Sequence, residues 1–154
     1  MTEETPQLDY DRSVIGVEYD LGTFKVTQEM LVNYARAVGA FDPIYWDPEA
    51  ARKGPYGGLV AMPTFISVFA SRGPGAPGPD VKLNFGTKGQ EAALAVENYL
   101  PIRPGDTLRV VSRAKEVYAK TGRSGPMVFT VFEETFHDGQ GNKVATVTRQ
   151  SVKF

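Results

Sequence analysis

The segment Tyr34-Ala35-Arg36-Ala37-Val38-Gly39-Ala40-Phe41-Asp42-Pro43-Ile44-Tyr45-Trp46-Asp47 gathers the residue types in this chain that could do chemistry. Asp42 is a carboxylate beside a proline and could carry a proton in general acid–base catalysis. The alternative use for it is to accept hydrogen bonds from nearby backbone N–H groups, a common role of Asp at turns and helix ends. Tyr45 is a poor base at neutral pH, but its phenol can donate a hydrogen bond. No second acid or base stands near Asp42 in the sequence, as proton transfer at a substrate carbon would require. The lone imidazole, His137, lies far along the chain beside Asp138-Gly139, where a hairpin tip and a solvated or structural histidine are expected.

That scarcity narrows the chemistry. The 154 residues hold no cysteine and one histidine, which excludes disulfides, thiolate nucleophiles, zinc ribbons, iron–sulfur clusters and His-rich metal sites. Neither a metal nor an organic cofactor is expected. With 17 Lys+Arg against 18 Asp+Glu and a formal net charge of −1, the chain gives no electrostatic reason to expect nucleic acid. Met1 to Asp11 is polar and acidic, so no signal peptide or membrane span is expected and a cytoplasmic location is. A content of 42% hydrophobic and 23% charged residues suits one folded domain with a real core.

The elements that must position these residues follow from capping and periodicity. Residues 1–13 read as a polar lead-in, and residues 14–154 as the domain. Val14 to Val26 has strand character interrupted by Gly16 and Gly22, which predicts a bent or split strand. Thr27 to Val38 predicts a helix: Thr27 caps, Glu29 sits in the first turn, Val26 and Leu31 form a hydrophobic staple, and Leu31, Tyr34, Ala35 and Val38 share one face before Gly39. Asp47 and Pro48 open a second helix running to about Lys53, and Pro63 to Ala70 reads as a short buried helix. Gly73 to Pro79 is almost all Gly and Pro, an exposed loop or hinge.

Beyond Gly89 the pattern changes to strands at Ala92–Ile102, Thr107–Tyr118, Met127–Phe136 and Lys143–Phe154, joined by Gly-rich turns. Leu108, Val110, Ser112 and Ala114 alternate with Arg109, Val111, Arg113 and Lys115, giving one wetter face. The apolar run Met127–Phe132 predicts a central strand, and Tyr118, Phe129, Phe132 and Phe136 read as core. Lys82, Lys88, Arg52, Lys53, Arg103 and Arg123 are scattered cations, any of which could meet a phosphate but each of which reads singly as solvated surface. Helices first and an antiparallel meander second predict an α+β domain with helices on one face of the sheet.

Taken in order, the motifs resemble the MaoC-like dehydratases and (R)-specific enoyl-CoA hydratases. Their hydratase segment reads Y-A-x-x-x-G-D-x-N-P-x-H followed by D-x-x-x-A, and Tyr34, Gly39, Pro43, Asp47 and Ala51 fall at matching positions. Pro63-Thr64-Phe65, Gly86-Thr87-Lys88-Gly89 with Gln90-Glu91, Leu100 to Asp106 and Lys120 to Gly125 resemble the N-terminal-type domains of that family, covering roughly residues 14–154 in order. The resemblance implies a single hotdog fold, an antiparallel sheet wrapped around a helix.

The departures fall on the catalytic residues. Where catalytic members carry the Asp and His that handle the proton and the water on an acyl thioester, this chain has Ala40 and Tyr45, and Asp42 stands where they keep Asn. General acid–base groups contribute roughly 10²–10⁴-fold each, and Ala40 cannot transfer a proton. The resemblance therefore implies the non-catalytic half of a double-hotdog unit: a hydratase or dehydratase subunit, paired with a catalytic MaoC-like hotdog, whose Tyr45, Phe65 and Phe69 help hold the acyl chain of a coenzyme A or acyl-carrier-protein thioester. A homodimer that binds acyl thioesters without chemistry, and an autonomous hydratase with a relocated acid–base set through Asp42, are the alternatives.

Overall fold

The computed structural model describes residues 7–70 and 77–154. The predicted loop at Gly73–Pro79 and the polar lead-in fall partly outside these residues. Five strands, β1 (Tyr19–Lys25), β2 (Gly89–Asn98), β3 (Thr107–Gly122), β4 (Gly125–His137) and β5 (Lys143–Lys153), form one antiparallel sheet in the order β1-β3-β4-β5-β2. Helix α1 (Gln28–Ala37) packs on one face, followed by α2 (Pro48–Lys53) and short 3₁₀ turns at Pro43–Tyr45 and Phe65–Phe69. The α+β arrangement is the one expected.

Capping explains where α1 starts and stops. The Thr27 hydroxyl accepts from the Met30 N–H at 3.2 Å, and Gly39, at φ +71°, turns the chain away. Ten residues make a helix about 15 Å long, whose Leu31 and Ala35 are buried. Val38, expected on the apolar face, is 51% exposed, because the helix has already ended and Val38 is its C-terminal cap.

On the sheet, the predicted alternation holds. Leu108, Val110, Ser112 and Ala114 are buried toward α1, while Arg109 and Lys115 point outward and are exposed. They join Leu31, Val26, Phe65, Ile66, Phe136 and Val147 in the buried interior between helix and sheet. β4 is the central strand, with Val128, Thr130, Glu134 and Phe136 buried on its helix side.

The expected split of the first strand is seen, and three other sequence expectations need correction. The first strand is split: a 3₁₀ turn at Arg12–Val14 and a single Ile15–Ala114 bridge precede β1, with Gly16 at φ +80° and a bulge between Asp20 and Gly22 breaking the ladder. β2 runs Gly89–Asn98 rather than Ala92–Ile102, because Tyr99 and Leu100 both turn their N–H groups onto the Val144 carbonyl and Pro101 has none to give. β3 and β4 extend to a tight turn at Arg123-Ser124 flanked by the Gly122–Gly125 pair. Finally, Tyr118 and Phe129 are not core; they stack at 5.0 Å on the face away from α1. Phe129 and Phe136 are an odd number of residues apart in one strand and so point to opposite faces; only Phe136 reaches the interior.

Candidate functional site

The residues after α1 fold into a compact corner. Trp46 Nε1 donates to the Ala40 carbonyl at 3.1 Å, and Asp42 Oδ1 accepts from the Ile44 N–H at 3.1 Å, capping the 3₁₀ turn that carries Tyr45. Asp47 then caps α2 through the Glu49 and Ala50 N–H groups at 2.9 and 3.3 Å, and Ala51 is buried behind it. Asp42 is thus engaged in the backbone, exposed to solvent, and α2 is anchored next to Tyr45.

Tyr45 opens onto a recess of about 240 Å³ lined chiefly by Tyr56, Val60, Met62, Pro63, Tyr99 and Leu100. Two hydrogen bonds close its far wall: Ala61 N–H to the Ile102 carbonyl at 2.8 Å, and Asn98 Nδ2 to the Pro63 carbonyl at 2.9 Å. The walls are largely apolar, with three tyrosines and Asn98 among the lining residues, a surface suited to a mainly apolar ligand with a polar end. Phe65 and Phe69 stand elsewhere. Phe65 is 2% exposed, edge-on to Tyr34 and Phe69 at 5.6 Å, and Phe69 stacks on Phe24 at 3.9 Å. Of the three aromatic residues expected to hold the ligand, the fold brings Tyr45 to the recess, buries Phe65 in the core and packs the half-buried Phe69 against it.

The scattered cations sit on different parts of the chain: Arg52 and Lys53 end α2, Arg103 and Arg123 flank opposite ends of β3, and Lys82 and Lys88 precede β2. His137 is not at a hairpin tip. It is the last residue of β4, half-buried, with Nδ1 buried and without a hydrogen-bond partner among the described residues. The turn beyond is built by Asp138, whose carboxylate accepts from the backbone of Gln140 and Asn142 at 2.9 Å. Among the described residues, no three His, Asp or Glu side chains cluster to hold a metal, and no helix is long and apolar enough to cross a membrane.

One polar group was missed from the sequence. Glu134, 1% exposed on the helix side of β4, accepts from Ser112 Oγ at 3.4 Å and Arg149 Nη2 at 3.3 Å. Arg149 also reaches Glu91 at 3.1 Å and lies 5.0 Å from the Phe132 ring. Burial pushes the Glu134 carboxyl above its ordinary value, against the pull of Arg149 and Ser112. The signal was present: Thr130, Phe132, Glu134 and Phe136 share one face of β4, so an acid lies between two phenylalanines. On the opposite face, burial alone would raise Glu133, but hydrogen bonds from Lys115 and Arg113 outweigh it and hold Glu133 below the usual carboxylate range.

Comparison with known proteins adds to this geometry. A family model described as the FAS1-like dehydratase domain region matches residues 13–147. A UPF0336 protein of Streptomyces avermitilis is 30% identical over 147 residues, spanning 92% of this chain and 93% of its own. Among solved structures, a MaoC-like dehydratase from Rhodospirillum rubrum aligns with a TM-score of 0.66 at 24% identity, covering 91% of this chain and 92% of that one. The HadBC (3R-hydroxyacyl-ACP dehydratase) complex of Mycobacterium tuberculosis aligns with a TM-score of 0.71 at 20% identity, covering 90% and 96%. The shared architecture is the hotdog fold.

Proposed function

The chain belongs to the FAS1-like dehydratase-region family of MaoC-like hotdogs, and from that membership we propose that it is a subunit of an (R)-specific enoyl-thioester hydratase or 3-hydroxyacyl-thioester dehydratase. It supplies acyl binding and stability, while a catalytic hotdog partner supplies the Asp and His. The observation that carries this reading is the pairing of an apolar recess beside Tyr45 with the absence of a proton-transferring side chain at position 40 and the engagement of Asp42 as a cap.

The reaction sets the requirement. Adding water across an enoyl thioester needs one group to activate or expel water and another to manage the α-carbon proton. Tyr45 can hydrogen-bond a thioester or hydroxyl oxygen at the rim, and the recess excludes water from the chain behind it. Tyr45 and the recess do not by themselves supply these two groups. Phe65 and Phe69 act at a distance, by holding the 3₁₀ turn that follows the Met62-Pro63 wall. Coenzyme A or acyl carrier protein is the thioester carrier in this reading, and a cytoplasmic location is part of it.

Oligomerisation has a structural motive. β2 is an edge strand with nine of its ten residues exposed, Leu94 at 51% among them, and its outer row of N–H and C=O groups is open to pairing. A second hotdog laid along β2 would cover both. The relative in the HadBC complex supports a hetero-oligomer; pairing of two copies of this chain supports the second reading, a thioester-binding homodimer.

Enoyl-CoA hydration measured for this chain, for a catalytic MaoC-like subunit and for the co-expressed pair tests the proposal. Activity confined to the pair, or strongly raised in it, is expected. Turnover of crotonyl-CoA by this chain alone, abolished by Asp42→Ala, overturns it.

A further inference from the structure

Phe41 is 99% exposed, yet it stands on a rigid corner. The Ala40 N–H donates to the Ala35 carbonyl at 2.8 Å, Trp46 Nε1 donates to the Ala40 carbonyl at 3.1 Å, and Asp42 caps the turn on the other side. The backbone before and after the ring is therefore fixed, and little ordering is left to be done when the ring is covered. Phenylalanine is among the residue types most often buried. Held whole in water on a preorganised corner, it has the character of an interface anchor.

The exposed apolar surface is concentrated here. Among the described residues nine large apolar side chains are exposed, and five of them lie on this corner or on the recess beside it: Val38 and Phe41 on the corner, Tyr56, Tyr99 and Leu100 on the recess. Tyr45 joins the two, four residues after Phe41 and in the recess wall. The recess holds about 240 Å³, more than the ~150 Å³ that suffices for a benzene ring. One chain thus carries a knob and a hole of matching size, side by side. Charge matches as well. Asp42, next to the knob, is exposed and makes no ion pair among the described residues. On the recess, the Lys143 ammonium lies 5.7 Å from the Tyr99 ring and the Arg103 guanidinium lies beside Gly58, and neither is in an ion pair among the described residues.

We infer that two copies of this chain associate through this face, Phe41 of each entering the recess of the other, with the Asp42 carboxylate meeting the Lys143 and Arg103 side of that recess. Because knob and hole adjoin, one two-fold axis between them satisfies both contacts and closes the pair; a distant knob and hole would build an open chain instead. The five apolar side chains present on the order of 500 Å² per copy, about 1,000 Å² over the pair, which is the lower bound for a specific interface. The association is therefore a reversible one. It uses the recess as a surface and does not depend on an acyl group binding there, and a second copy seated in it closes it to other ligands. It is also separate from pairing along β2.

Trp46 is the chain's single tryptophan and is bonded to Ala40 next to Phe41, so its fluorescence reports on this corner alone. Sedimentation velocity of the full chain across the micromolar to millimolar range should show a reversible dimer, and Trp46 emission should change over the same range. Phe41→Ser alters a side chain that is 99% exposed and leaves the fold intact. It should weaken the dimer at least about a hundredfold, because two rings return to water. Leu94→Lys, on β2, should leave the dimer unchanged. A chain that stays monomeric at every concentration overturns the inference, as does a dimer equally strong in Phe41→Ser or one that forms with Trp46 emission constant. Loss of the dimer in Leu94→Lys with retention in Phe41→Ser places the contact along β2 and overturns it too. So does a native chain that is monomeric alone but loses a catalytic MaoC-like subunit on Phe41→Ser, since the corner then belongs to that subunit.

Discussion

Asp42 Oδ1 accepts a hydrogen bond from the Ile44 backbone N–H at 3.1 Å. The carboxylate that follows Ala40 thereby starts the turn that presents Tyr45, and stands exposed instead of facing an enclosed site. Asp42→Ala is expected to lower stability by about 1 kcal/mol, the usual value of an N-cap, and to leave the rate of the reconstituted complex within about twofold. Urea denaturation and the hydration assay check the two halves; a well-folded variant that has lost most of the activity gives Asp42 a catalytic role after all.

Tyr45 and Phe65 should separate by mutation. Phe65→Ala removes a ring that is 2% exposed and packed on Tyr34 and Phe69, and should cost about 3–5 kcal/mol. Tyr45→Ala, at the half-buried rim of the recess, should cost far less and instead raise the KM of the complex for long-chain enoyl thioesters. Thermal denaturation together with steady-state kinetics reads both. Equal losses of stability from the two would place Tyr45 in the core.

Gly86 and Gly39 both have positive φ, at +64° and +71°, but differ in their surroundings. A Cβ at Gly86 would lie 2.9 Å from the Phe154 carbonyl oxygen and 3.0 Å from its nitrogen, whereas at Gly39 it meets nothing within 4 Å. Gly39→Ala should therefore cost about 1–2 kcal/mol for its left-handed backbone alone, and Gly86→Ala distinctly more. It should also disturb the paired hydrogen bonds between Lys88 and Phe154, at 3.2 and 3.1 Å. Comparative urea midpoints and amide exchange at Lys88 and Phe154 decide it.

Glu134 predicts a pH dependence of a particular sign. Burial raises its carboxyl in the folded state, so folding takes up a proton between the ordinary carboxylate value and the higher folded one. The stability contributed by the protonated group is complete below the ordinary range and is lost as pH rises through the folded value. Glu134→Gln keeps the shape and abolishes this slope, so its stability relative to the native chain should improve as pH rises. Glu133 has the opposite sign: its lowered value means that its contribution is present at neutral pH and disappears on acidification. Denaturation midpoints for Glu134→Gln and Glu133→Gln across the acid-to-neutral range test both slopes; a Glu134→Gln difference that does not change with pH would remove burial as the cause.

The sequence by itself determined whatever is encoded within one or two turns of chain. The Thr27 and Asp47 caps and the alternation from Leu108 to Lys115 were legible. Each depends on a residue and neighbours within about four positions, or on strand periodicity. The tertiary structure decided what depends on register between strands. It placed Glu134 against Arg149 and Ser112 and separated Phe129 from Phe136 by sheet face. It also stopped β2 at Asn98 and aligned Arg109, His137 and Lys143 across three strands beside Tyr99. A shift of one residue in pairing moves a side chain to the other face of the sheet, and the bulges that set that pairing, between Ala114 and Glu116 and between Phe136 and His137, leave no mark in composition or periodicity.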